Sequence, residues 1–138
     1  MLKKLVDTNI FIDRLAQPSL YQDVFLADGL VYLSSVVLME LKAGAHSKES
    51  NEAVHDIRLL FTRSGRVVVP SMKDYETAGE IVARLQSSKG YDIKKCASIS
   101  NDCLIAASAR TAGAVVYTQN KKDFEAIRDV FSCRVVFV

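Results

Sequence analysis

The sequence predicts an α/β fold built on a mainly parallel sheet of about five short strands flanked by helices. Short Val-rich runs alternate along the chain with segments whose apolar residues recur at helical spacing. The runs are almost continuously apolar, as strands buried on both faces are. Helix-starting residues follow directly on two of them, at Asp7-Thr8-Asn9 and Ser34-Ser35. The chain has 138 residues, the length of one domain, and shows no repeat or linker, so 1–138 is expected to be a single domain.

Residues 2–6 form the first expected strand, which carries two lysines. Asp7-Thr8-Asn9 ends it and starts a helix with Ile10, Phe11 and Leu15 on one face. Pro18, at the first helical position, opens a second helix to about residue 27, and Gly29 stops it. Residues 30–33 are the second strand. The helix over 36–45 carries Val37, Leu38, Leu41 and Ala45 at helical spacing. A further helix over 52–61 shows a stripe of Val54, Ile57, Leu60 and Phe61. Residues 66–69 are the third strand, closed by Pro70. The helix over 74–85 turns Ile81, Val82 and Leu85 inward, and 87–95 reads as a basic loop. Asn101 caps an alanine-rich helix over 102–112, which Gly113 terminates. Residues 114–117, 121–130 and 134–138 complete the pattern as strand, helix and strand.

Composition excludes several functions. With 18 Lys+Arg against 16 Asp+Glu the net charge is +2, too small for binding nucleic acid by bulk charge. No apolar run approaches the ~20 residues that span a bilayer, and the N-terminus does not resemble a signal peptide, so a cytoplasmic protein without a membrane partner is expected. Cys96, Cys103 and Cys133 include no C-x-x-C pair and read as plain buried thiols. The two histidines, His46 and His55, fall in a polar stretch unsuited to a catalytic triad.

Four acids sit where folding has little use for them. Asp7 follows the first strand, Asp102 and Asp123 begin helices, and Glu40 lies among Val36, Val37, Leu41 and Gly44. Ligand crevices of parallel sheets lie beyond the carboxyl ends of the strands, so these acids can converge. Each also has a plain reading: Asp7 as a cap, Asp102 and Asp123 as first-turn acids favoured by the helix dipole. Glu40 has the weakest excuse, since an unpaired acid in an apolar stripe is costly. Clustered carboxylates without histidine suit a hard divalent cation, Mg²⁺ or Mn²⁺, which activates water and neutralises charge on a phosphoryl group. A phosphodiester or phosphate ester is then the natural substrate.

The segment Val6-Asp7-Thr8-Asn9-Ile10-Phe11-Ile12-Asp13 resembles the opening motif of PIN domains. Ser35 through Glu40-Leu41 resembles the motif of their second acid, Asn101-Asp102-Cys103-Leu104-Ile105-Ala106-Ala107 that of the third, and 116–124 that of the fourth. Order, spacing and length are similar to the VapC-type toxin ribonucleases. The resemblance implies a single PIN-like domain acting as a Mg²⁺- or Mn²⁺-dependent endoribonuclease on transfer or ribosomal RNA, silenced by a cognate antitoxin. Asp7, Glu40, Asp102 and Asp123 match the acidic quartet that holds the metal. Thr8, Asn9, Ser35, Thr118 and Asn120 match supporting positions.

Lys89, Lys94, Lys95, Lys121 and Lys122 are candidates for guiding the RNA backbone, against the plain reading of a solvated surface. A homodimer is expected from the resemblance and from the apolar region of Phe11, Leu15, Tyr21 and Phe25. A receiver domain would need an acid after the third strand, where Val67-Val68-Val69-Pro70 has none. A haloacid-dehalogenase-like phosphatase would need a second acid where Asn9 stands, and no G-x-G-x-x-G marks a nicotinamide site. The remaining alternative is a catalytically silent PIN-like module that binds RNA or protein.

Overall fold

The computed structural model describes residues 1–138. The strands are β1 (Lys3–Val6), β2 (Leu30–Ser34), β3 (Val67–Val68), β4 (Ala114–Thr118) and β5 (Val135–Phe137). The helices are α1 (Thr8–Ala16), α2 (Gln22–Leu26), α3 (Ser35–Gly44), α4 (Lys48–Arg63), α5 (Met72–Lys89), α6 (Ile99–Ala112) and α7 (Lys121–Val130). All five strands are parallel and lie in the order β3-β2-β1-β4-β5.

The chain runs outward from β1 through β2 to β3, then crosses back to place β4 on the other side of β1. That reversal opens a crevice at the carboxyl ends of β1 and β4. Right-handed crossovers put α1–α4 on one face of the sheet and α5–α7 on the other. Central strands are buried on both faces: Leu5, Val6, Leu33 and Val116 are fully buried. The two lysines of β1 point to opposite faces, as successive strand residues must. Lys4 is buried and donates to the Val24 carbonyl at 2.9 Å, while Lys3 donates to Ala112 at 3.3 Å. Each ammonium thus satisfies a carbonyl near a helix C-terminus, where a cation is favoured. No helix is long and apolar enough to cross a membrane.

Several boundaries differ from expectation, each for a local reason. Pro18 begins a turn instead of a helix: Leu20 N–H closes on Gln17, Arg14 takes the Leu20 carbonyl at 2.7 Å, and α2 starts only at Gln22. Helix α4 starts a turn early because Ser47 caps it through Ser50 N–H. Ser87 and Ser88 continue α5 by folding their hydroxyls onto the Arg84 carbonyl, so the loop begins only at Gly90. Helix α6 starts at Ile99, whose side chain is buried, and Asn101 lies inside its first turn instead of capping it. Of the three thiols expected to be buried, only Cys103, inside α6, is so; Cys96 and Cys133 lie outside the helices and strands and are half-buried. Phe11 is not surface for a dimer. It is 3% exposed and packs edge-on against Phe25 and Phe61, with centroids 5.6 and 6.0 Å apart.

Candidate active site

Asp7 follows directly on the last residue of β1, and its N–H donates to the Tyr117 carbonyl of β4 at 2.9 Å. The backbone of two neighbouring strands therefore fixes it at the crevice. Its carboxylate caps α1, with Oδ1 accepting from Thr8 N–H at 2.8 Å and Oδ2 from the Thr118 hydroxyl at 2.6 Å. The Thr8 hydroxyl donates in turn to Glu40 Oε1 at 2.7 Å. Glu40 is half-buried, so it does not sit sealed in an apolar stripe. It faces the crevice rim, where solvation and Thr8 offset the cost of its charge.

Asp102 and Asp123 close the other side. The Asn120 amide donates to Asp123 Oδ2 at 3.0 Å and to Asp102 Oδ2 at 3.2 Å, and Asn120 caps α7 through Asp123 N–H. Asn120 N–H donates to the Thr118 hydroxyl at 3.0 Å, which links this half to Asp7. Asp123 Oδ1 accepts from the Tyr91 hydroxyl at 2.7 Å. One hydrogen-bonded chain therefore joins all four acids through Thr8, Thr118 and Asn120.

No cation answers these charges. The ion pairs of the chain are Lys89–Asp129 and Lys121–Glu125, both outside the quartet. Asp102 is 5% exposed and its carboxyl is pushed up to about 8, first by burial, then by Asp7, Asp123 and Glu40. The adjoining Cys103 thiol is pushed up to about 12, first by burial, then by Asp102 and Asp123, which disfavours its reactive thiolate. Burial and the Asp123 carboxylate also raise Tyr91, so its phenol stays a neutral donor.

An unpaired cluster of hard oxygen donors is the setting a divalent cation fits. No three acidic, histidine or cysteine side chains close on one point as a ready-made cage. Mg²⁺ does not require one, since it keeps several waters and binds through one or two carboxylates with substrate phosphate.

Of the other residues singled out from sequence, Thr8, Thr118 and Asn120 touch the acids. Asn9 is exposed, and neither it nor the half-buried Ser35 makes a side-chain hydrogen bond to them; Ser34 provides the α3 cap instead. Lys94, Lys95 and Lys122 are exposed and unpaired, whereas Lys89 is bound to Asp129 at 2.9 Å. Tyr91 is the contact that sequence reasoning missed. Its only signal is the preceding Gly90, which turns the chain back at the end of α5.

A sequence model of the PIN domain matches residues 4–130. The chain is 33% identical over 134 residues to the tRNA(fMet)-specific endonuclease VapC of Shigella flexneri, covering 92% of this chain and 93% of that protein. Among solved structures it is similar to DNA-bound VapBC from Salmonella typhimurium, with a TM-score of 0.73 and 27% identity over 99% of this chain and 98% of that one. VapBC-1 from nontypeable Haemophilus influenzae is similar with a TM-score of 0.68 and 25% identity, over 99% and 98% of the two chains.

Proposed function

Because the chain belongs to the PIN domain family, we propose that it is a metal-dependent endoribonuclease and the toxin of a toxin–antitoxin pair. One observation carries this reading. Asp102 is buried among three other acids without a cation, and its carboxyl is pushed up to about 8. Such crowding is destabilising in the resting protein and is explained by a ligand of positive charge.

Asp7 and Asp102 would hold Mg²⁺ or Mn²⁺, with Glu40 and Asp123 assisting. When bound, the ion supplies a lowered pKa to a water and neutralises the leaving oxygen of the phosphodiester. The chain's own residues do the positioning. Thr8 N–H and the Thr118 hydroxyl fix both oxygens of Asp7, and Asn120 spans Asp102 and Asp123. Burial and its acidic neighbours favour the protonated form of Asp102 in the resting site, and a cation held there would favour its carboxylate. Lys94, Lys95 and Lys122 lie exposed and available to the phosphate backbone.

Transfer RNA or ribosomal RNA is the substrate class of this reading, in line with the tRNA(fMet) named for the Shigella relative. A cognate antitoxin, a homodimer and a cytoplasmic location belong to it too. The exposed apolar Ile12 and Leu15 of α1, 47% and 43% exposed, are surface that such partners would cover.

The test is sequencing of RNA ends after the protein is expressed alone, beside the Asp102→Asn variant. New ends at discrete sites, absent from the variant, are expected. Identical RNA ends in both would favour a silent binding module.

A further inference from the structure

Tyr91 reaches the acidic crevice from an element that supplies none of the acids. Gly90 ends α5 in the left-handed region at φ 69°, and Tyr91 N–H returns to the Leu85 carbonyl at 3.2 Å. This reversal lays the half-buried phenol against the first turn of α7. There its hydroxyl donates to Asp123 Oδ1 at 2.7 Å, while Asn120 donates to Oδ2 at 3.0 Å. A carboxylate held at one oxygen can still rotate about its terminal torsion, where the energy wells are broad. Held at both, it cannot.

We propose that Tyr91 is a positioning residue for Asp123, fixing the carboxylate so that Oδ2 stays on the side shared with Asn120 and Asp102. The proposal rests on the nuclease reading and deepens it. It assigns a site function to the turn after α5, which also carries the exposed Lys94 and Lys95. Tyr91 touches neither RNA nor metal in this role. It acts through Asp123, and the alternative is that its hydroxyl merely anchors the turn.

Tyr91→Phe removes the hydroxyl and keeps the ring. A hydrogen bond to a charged group is strong enough that turnover should fall about tenfold, with KM changed less than about twofold. If Tyr91 works through Asp123, the two changes do not add: in an Asp123→Asn background, Tyr91→Phe should alter turnover by less than about twofold. Mn²⁺ binding followed by calorimetry without RNA should weaken several-fold in Tyr91→Phe. A loss of equal size in both backgrounds would make Tyr91 a structural anchor only. A Tyr91→Phe protein that cleaves and binds Mn²⁺ like the unaltered chain would overturn the proposal alone. An unaltered chain that neither cleaves RNA nor binds Mn²⁺ would remove the nuclease reading and the proposal with it.

Discussion

Asp74 and Asp102 are both buried aspartates in the first turn of a helix, 4% and 5% exposed. Their surroundings are opposite. Asp74 closes a capping box with Ser71, whose N–H donates to Oδ2 at 2.9 Å, and its Oδ1 accepts from the Thr111 hydroxyl at 2.6 Å. Each oxygen is matched by a short bond from a donor. Asp102 receives only the Asn120 amide at 3.2 Å, an amide shared with Asp123, and faces three other acids. Asp74 is surrounded by donors, Asp102 by like charges. Burial alone therefore does not distinguish the two. The sign of what surrounds a buried charge does.

The largest effect that sharpens this comparison is on cleavage. Asp102→Asn should lower metal-dependent RNA cleavage by about a hundredfold or more, since the ion loses a charged ligand. In chelator its fold should hold near neutral pH, where the raised carboxyl favours the proton, and be the more stable of the two above about pH 8, where the unaltered chain carries the crowded charge. Asp74→Asn should do the reverse: cleavage close to the unaltered level, but about 1–3 kcal/mol less stable by denaturant melting, as buried hydrogen bonds are lost. Equal behaviour of the two variants in both assays would break the comparison.

Asp7→Asn separates the two roles within one residue. Cleavage should fall as it does for Asp102→Asn. Unlike that variant, it should also lose about 1 kcal/mol in chelator. An amide offers only one accepting oxygen, so it cannot serve both Thr8 N–H and the Thr118 hydroxyl.

A pH series tests the crowding directly. Asp102 is raised from 3.8 to about 8, so between those values the folded chain holds a proton that the unfolded chain has released. The stability from this group is complete below 3.8 and is lost as pH rises through about 8. The melting temperature of the metal-free protein should therefore fall from about pH 5 to about pH 9, and the slope should flatten in Asp102→Asn. The same slope in both proteins would place the proton elsewhere.

The smallest effect concerns the lysines. Lys94→Ala with Lys95→Ala should weaken RNA binding only a few-fold and reduce the salt slope by about two charges' worth. The same change to Lys89, already paired with Asp129, should do less. A filter-binding salt titration compares them.

Much of this was legible in the sequence. The alternation of Val-rich runs and helical stripes specified the parallel sheet, because strands buried on both faces must be apolar throughout. The acids were visible because each followed a strand end or sat oddly in a helix. Ordinary first-turn acids look the same, however. Ser71 belongs to Asp74's own turn, but Thr111 beside Asp74, and Asn120 with the three acids around Asp102, are brought by the fold from distant segments. Tyr91 stayed hidden for the same reason: its partner lies 32 residues away, and only the Gly90 reversal aims it. The helix starts at Lys48 and Ile99 differ from what periodicity predicts because a serine cap and a buried isoleucine decide them. Ile12 and Leu15 remain partly exposed while Phe11, in the same helix, is core, a division that apolar spacing cannot reveal.

The central claim is that the crowded carboxylates exist to bind a divalent cation. It is tested most directly by titrating the purified chain with Mn²⁺ in a calorimeter, in buffers of different ionisation heat near neutral pH. Saturable binding with release of a proton is predicted, because a cation at Asp102 displaces the proton that burial and its neighbours hold there. Asp74→Asn should bind alike, and Asp102→Asn should lose both the binding and the proton release. Binding that survives unchanged in Asp102→Asn, or no binding in the unaltered chain, would contradict the account.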